Sequence, residues 1–418
     1  MSDCAFQLVE GGVTAPKGFV ANAISCGIKK PEATRLDLAL LYSTEPTSSS
    51  ATFTVNRVRA ACVRVSQSHF RRGNIRAVVS NSGNANACTG AAGVSVARKE
   101  CRLVAKELGI ETHEVAVCST GVIGLPMPMT RIEPRFPELC ADLSPAKGLA
   151  VAQAIMTSDT REKQISLELE IEGKPVRIGA CCKGAGMISP NMATMICLVT
   201  TDAAVPRELL DASTKLGVEN SFNCITIDGD MSTNDTCIVL ANGASGVTMT
   251  SEHPEWAKFE AALHHVLLDM AQHIVQDGER VTKFITVKVE GASSKTSAKK
   301  VAEAVAKSAL VKSSWNGNDP NWGRIIHAVG YSGARLREER IDIDIAGLAA
   351  CRGGEQTDTP SDDLREAVQV REFEVLINLN MGEETHTVYT TDLSPEYVDF
   401  NRSEYAYWNQ AKKDGLTK

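Results

Sequence analysis

Aromatic side chains are scarce in this chain, at 5% of 418 residues, which argues against stacking platforms for nucleobases or sugar rings. Basic charge is not in excess either. The net charge of −7 implies no general polyanion-binding surface, although it leaves room for a local basic patch. No apolar run approaches the ~18 residues that a membrane-spanning helix needs. The opening residues, Met1-Ser-Asp-Cys-Ala-Phe6, lack a basic stretch followed by an apolar core, so no signal peptide is expected. There is no Cys-x-x-Cys pair and no cysteine–histidine spacing suited to zinc. The 13 cysteines are an odd, scattered set that fits small buried thiols in a reducing cytosol. Low-complexity segments, clear internal repeats and long linkers are also missing.

What remains is an ordinary globular composition, 43% hydrophobic and 23% charged. The length suggests two or three domains of roughly 100–200 residues each. Strand–helix–strand units recur in both halves and predict an α/β protein of layered sheets and helices. The clearest helix spans 251–276, with Pro254 near its start, apolar residues at helical spacing and Gly278 as its stop. Further helices are predicted over 95–108, 145–156, 207–216 and 295–308. Strands are expected at 18–24, 36–42, 75–79, 115–118, 164–171, 175–178, 282–289, 340–345, 372–379 and 386–391. Thr47-Ser-Ser-Ser50 reads as a polar turn, and 222–242 as strand, acidic loop, strand.

One stretch organises the rest: Lys183-Gly-Ala-Gly-Met-Ile-Ser-Pro-Asn-Met-Ala-Thr-Met195. A lysine precedes two glycines and a Ser-Pro-Asn turn, and Thr194 stands at the mouth of the apolar run 195–199, which reads as a buried strand. Most threonines so placed are structural. As a nucleophile, Thr194 would need a base, and the amine of an N-terminal threonine is one known solution. That requires a cut between Ala193 and Thr194. The freed α-amine would titrate near ~7.7–8.0, close to working pH.

Three other stretches carry candidate chemistry. Ser80-Asn-Ser-Gly-Asn-Ala-Asn-Ala-Cys-Thr-Gly90 is a loop rich in amides, which either stitch it internally or line a site. Ser119-Thr-Gly121 ends a strand with a hydroxyl and an unencumbered backbone N–H, the parts of an oxyanion hole. Asp228, Asp230 and Asp235 invite a metal, but they lack the glycine and terminal glutamate of a calcium loop, so a hydrogen-bonding loop is expected.

With these residues in view, Lys183–Met195 closely resembles the self-cleavage motif of the ornithine acetyltransferase (glutamate N-acetyltransferase) family of arginine biosynthesis. Five further stretches are similar to that family's signatures, in its order: Asn81–Gly90, Ser119–Gly124, Met156-Thr-Ser-Asp-Thr160, Ser232-Thr-Asn-Asp-Thr236 and Asn318-Asp-Pro-Asn-Trp-Gly-Arg324. The resemblance covers nearly the whole chain. It implies the α/β fold shared with a self-cleaving aminopeptidase family. It also implies a precursor cut into an α chain, 1–193, and a β chain, 194–418, that fold together as one αβ unit. Two or more such units would assemble, as an α2β2 heterotetramer or higher, in the cytoplasm.

By the same resemblance Thr194 is the nucleophile, Thr120 and Gly121 form the oxyanion hole, and Thr157, Lys183, Thr194, Glu279 and Asn401 bind substrate. The substrates would be N2-acetyl-L-ornithine and L-glutamate, exchanged through an acyl-threonine. No metal, resident cofactor, nucleic acid or membrane partner is implied. Acetyl-CoA serves as a second donor in some family members only, which would add N-acetylglutamate synthesis. The chain departs from the family in two places. Arg280 and Val281 stand where small residues are usual, so Arg280 either supplies a cation for glutamate's side chain or points to solvent. The tail beyond Asn401 is longer than the family's. A second reaction class also fits the motif: an N-terminal-nucleophile amidase or aminopeptidase of the same fold, in which water takes the acyl group.

Overall fold

The strand Ile196–Thr201 is buried along its whole length, and its alternating side chains belong to two different cores. Cys197 and Val199 face one core, while Ile196 and Leu198 face the other. Such a strand must lie inside a sheet covered on both faces, because successive side chains point to opposite sides. The computed structural model describes residues 6–189 and 195–402 and shows this arrangement. The strand sits within a six-stranded sheet ordered Phe6–Leu8, Lys163–Ile171, Lys174–Lys183, Ile196–Thr201, Thr236–Ala241, Ser48–Phe53. Ile196–Thr201 runs antiparallel to Lys174–Lys183 and parallel to Thr236–Ala241. The parallel pair is joined through the helix Arg207–Glu219, as a crossover requires.

On one face of this sheet lie the helices Arg207–Glu219 and Trp256–Gln276, which bury Leu210, Phe259, Leu263, Leu267 and Met270 against it. On the other lies a four-stranded sheet, ordered Phe19–Ile24, Leu38–Ser43, Ala77–Asn81, Val115–Ser119. Phe19, Leu41 and Val78 meet Leu198 and Leu240 between the two sheets. The helices Ala61–Phe70 and Gly90–Leu108 cover the outer face of the smaller sheet. The order of layers is therefore helix, sheet, sheet, helix.

A second six-stranded sheet forms a separate core towards the C-terminus, ordered Glu355–Gln356, Leu348–Arg352, Asp342–Ile345, Glu372–Asn378, Phe284–Ala292, Glu384–Thr391. The helices Lys295–Lys307, Ala309–Asn316 and Trp322–Gly330 pack on it around Trp315. The Asn318–Arg324 signature begins at a left-handed Asn318 and opens the last of these helices. Just before it, Asn316 Nδ2 donates to Asp392 Oδ2 at 2.7 Å, and Asp392 also receives the N–H groups of Thr282 and Lys283. This junction ties the second lobe to the segment that carries Glu279.

Several expectations need correction. Thr47–Ser50 is no turn: Ser48–Phe53 is the edge strand of the main sheet, paired antiparallel with Thr236–Ala241. Its hydroxyls suit an edge, where Ser50 Oγ donates to Asp211 at 3.0 Å. The strand expected at the start of 222–242 does not form. Phe222–Cys224 is a 3-10 turn, followed by a single bridge between Ile225 and Tyr389. The long helix begins at Trp256, since Glu255 N–H donates to the His253 ring and holds a turn ahead of it. The strand predicted at 175–178 runs from Lys174 to Lys183, so the strand itself delivers the lysine. Among the described residues no helix is long and apolar enough to cross a membrane.

Candidate active site

Lys183 is the last residue of its strand and is 2% exposed. A buried ammonium is costly unless neighbours compensate it. Among the described residues its Nζ donates one hydrogen bond, to Thr120 Oγ at 3.3 Å. Thr120 is itself buried at the end of Val115–Ser119, where its N–H donates to Asn81 O at 3.0 Å. An oxygen that accepts from an ammonium keeps its own proton to donate elsewhere. Lys183 thus orients the hydroxyl that sequence reasoning places in the oxyanion hole.

Gly121 follows with φ +130°, a conformation L side chains rarely adopt. A Cβ there would lie 2.4 Å from the carbonyl carbon of Gly83. The close approach is to the asparagine-rich loop, which is stitched by its own amides. Asn84 Nδ2 donates to Leu125 O and Pro126 O, Asn86 N–H donates to Asn84 Oδ1, and Asn81 Nδ2 donates to Asn84 O. From the other side Asn234 Nδ2 donates to Ala85 O at 2.7 Å and Ser119 O at 2.8 Å. The loop is therefore a rigid backing for Thr120-Gly121.

The stretch after Lys183 is pinned at each step. Gly184 N–H donates to Asp159 Oδ1 at 2.7 Å, and Glu279 N–H donates to Ala185 O at 2.7 Å. Met187 and Ile188 N–H groups both donate to the Asp228 carboxylate, which also accepts from Tyr397 Oη at 3.3 Å. The acidic loop is thus a hydrogen-bonding one, as expected. Gly186 lies directly against the end of the Glu279 side chain, since a Cβ there would lie 2.4 Å from the Glu279 carboxyl carbon and the carboxylate would have to shift.

Beyond the junction, Met195 N–H donates to Asp235 Oδ1 at 3.0 Å. Asp235 is fully buried, and its other oxygen has no hydrogen-bond partner among the described residues. Burial pushes its carboxyl well above the usual range. Ala193 and Thr194, the expected cleavage pair, lie outside the described residues.

Glu279 is half-buried and accepts from Asn401 Nδ2 at 3.1 Å, so these two expected substrate contacts are neighbours. Glu279 also lies within electrostatic reach of Lys183. Arg280 is left-handed, at φ 58°, and exposed. Its guanidinium lies 4.9 Å from the centre of the Phe400 ring. Thr157 is half-buried on the loop before Lys163–Ile171, where its N–H donates to Asp159 Oδ2 at 2.9 Å.

Sequence reasoning missed the group that joins these parts. Lys163 has a fully buried side chain and bridges Asp159 Oδ1 at 2.7 Å and Asp277 Oδ2 at 2.5 Å. Burial alone would raise the Asp159 carboxyl, yet Lys183, Lys163 and the Gly184 N–H outweigh it and hold it well below the usual carboxylate range. Lys183 is pushed down by burial, opposed by Asp159. The signal was present: Asp159 stands inside the Thr157–Thr160 stretch and Asp277 two residues before Glu279.

A helix–sheet–sheet–helix core, with a buried ammonium and a hydroxyl meeting at the ends of two strands, defines a layered α/β protein with a polar site at its strand ends. More particularly, the chain belongs to the ArgJ family, whose model matches residues 20–406. The arginine biosynthesis bifunctional protein ArgJ of Geobacter sulfurreducens is 47% identical over 387 residues, covering 92% of this chain and 98% of that one. The protein of the same name from Symbiobacterium thermophilum is 45% identical over 402 residues, covering 95% and 99%. Among solved structures, ornithine acetyltransferase complexed with ornithine from Mycobacterium tuberculosis is 37% identical, with a TM-score of 0.41 over 44% of this chain and 98% of that one.

Proposed function

We propose that this chain is a glutamate N-acetyltransferase of arginine biosynthesis, moving the acetyl group from N2-acetyl-L-ornithine to L-glutamate. The observation that carries the reading is the buried Lys183 ammonium bonded to Thr120 Oγ, with Glu279 and Asn401 closing the far side of the glycine turn. A substrate α-carboxylate suits Lys183, and both substrates have one. Glu279 suits the side-chain ammonium of ornithine. The word bifunctional in the relatives' names supports a second activity, acetylation of glutamate by acetyl-CoA.

In this reading the precursor cuts itself between Ala193 and Thr194, and the freed amine of Thr194 is the base. Thr194 Oγ bonds to the acetyl carbon, and its proton passes through that amine to the departing ornithine nitrogen. The tetrahedral oxyanion takes hydrogen bonds from Thr120 Oγ–H and Gly121 N–H, and losing one such donor costs roughly 2.7–4 kcal/mol of barrier. Glutamate's amine then attacks the acyl-threonine, and Thr194 recovers its proton. The two chains stay together as one αβ unit and assemble as an α2β2 heterotetramer in the cytoplasm.

The test is a denaturing gel beside an acetyl-transfer assay. Freshly purified, active protein should run as two bands near half length, and Thr194→Ala as one inactive band. Activity in a wholly uncut wild-type chain would overturn the mechanism. Acetate release that ignores added glutamate would favour an amidase instead. Acetyl-CoA with glutamate alone tests the second activity.

A further inference from the structure

Lys163, Asp159 and Asp277 are buried, charged and joined, yet none of them has a role in the proposed reaction. We propose that these three residues form a platform that positions the anchoring ammonium of Lys183 and the backbone of Thr157 for the substrate's carboxylate. The inference rests on the acetyl-transfer reading for the identity of the substrate.

The geometry is one of complete mutual satisfaction. Lys163 Nζ donates to Asp159 Oδ1, Asp277 Oδ2 and, at 3.5 Å, Arg161 O. Asp159 uses Oδ1 a second time for Gly184 N–H, the peptide immediately after Lys183, and Oδ2 for Thr157 N–H. Asp277 accepts from both the N–H and the hydroxyl of Thr160. Three separate segments meet here: the 157–160 loop, the end of the strand that carries Lys183, and the link that leads to Glu279. A fold that only needed to fill this space would do so more cheaply with apolar side chains, since buried ion pairs rarely add net stability.

The charge count gives the platform its purpose. Two carboxylates share one ammonium, which leaves one negative charge in excess beneath Lys183. The titratable groups that face Lys183 are Asp159, Lys163, Glu279 and Asp235, and Thr120 supplies its hydrogen bond. Burial drives Lys183 towards its neutral form, and Asp159 is the strongest opposing influence. A neutral lysine would lose the charge that holds a carboxylate. Asp159, Lys163 and Asp277 touch neither substrate nor reacting atoms in this scheme, so they are positioning residues.

The test compares the processed wild-type enzyme with Asp159→Asn and Asp277→Asn across the alkaline range. Each variant removes the excess negative charge, and Asp277→Asn does so while leaving the Gly184 and Thr157 bonds in place. Both should shift the alkaline limb of kcat/KM to lower pH, Asp159→Asn further. KM for acetylornithine and for glutamate should rise together by roughly tenfold in Asp159→Asn, the loss of about one charge-assisted hydrogen bond. Lowering the pH should restore KM, with kcat little changed. A merely structural role predicts the same loss at every pH, and an unmoved limb in a folded Asp277→Asn would overturn the proposal. Wild-type protein that transfers no acetyl group sinks the acetyl-transfer reading alone. Calorimetric binding of ornithine then decides for the platform, and a pH dependence identical in wild type and variants would overturn it.

Discussion

Glu100 shows how far a single residue can depart from its usual chemistry in this fold. It lies on the buried face of Gly90–Leu108, 1% exposed, with one carboxyl oxygen lacking a hydrogen-bond partner among the described residues. Burial pushes its carboxyl up to about 8. The folded state therefore keeps a proton that the unfolded chain releases near the ordinary glutamate value of 4.5, and stability falls as pH rises from there through 8. Glu100→Gln removes the titration. The melting temperature of the variant minus that of wild type should increase from pH 5 to pH 8, by an amount equivalent to a few kcal/mol, on the order given by linkage. A difference that stays flat with pH would show that Glu100 ionises freely. Gly121 makes a different point at the same scale. Any side chain there meets the Gly83 carbonyl carbon, so Gly121→Ala should lower kcat by about two orders of magnitude or more, like removal of an oxyanion donor, while the melting temperature reports any wider strain.

Among the elements, legibility tracked how much of the stabilising interaction was local. The helix Trp256–Gln276 announces itself because Phe259, Leu263, Val266, Leu267, Met270 and Ile274 repeat at helical spacing and all are buried. Ser48–Phe53 hides because four of its six residues, Ser48, Ser49, Ser50 and Thr52, carry hydroxyls, and its strand character comes from pairing with a segment nearly two hundred residues away. Lys163 hides because a lysine at the head of an alternating strand reads as solvated, and only Asp159 and Asp277 in three dimensions make its burial tolerable. The parts of the candidate site were named from resemblance, and geometry then joined Lys183 to Thr120 and Glu279 to Asn401. An element-scale prediction follows from the turn Gly184–Ile188. Asp228→Ala removes the acceptor for two consecutive N–H groups just ahead of the proposed cleavage junction. Self-cleavage should slow markedly, and a time course on gels after synthesis would measure it. Cleavage at the wild-type rate would show that the turn needs no such clamp.

At the scale of the molecule, the proposed cut falls in the connection between two neighbouring strands of one sheet. Lys174–Lys183 would end the first product and Ile196–Thr201 would open the second, yet six register pairs hold them side by side. On its far side the second product's Thr236–Ala241 is closed in by Ser48–Phe53 of the first. The two strands of the one chain are thus enclosed by strands of the other. A nick of this kind leaves the native state almost untouched and transforms the denatured one. The precursor refolds as a single chain, with its partner segments tethered at high effective concentration. The processed protein must find its other half by diffusion. Refolding yield after dilution from denaturant should therefore depend on protein concentration for the processed form and be independent of it for Thr194→Ala. A molecule assembled once as a continuous thread would then owe its endurance to the slowness of coming apart, with no equally direct route back.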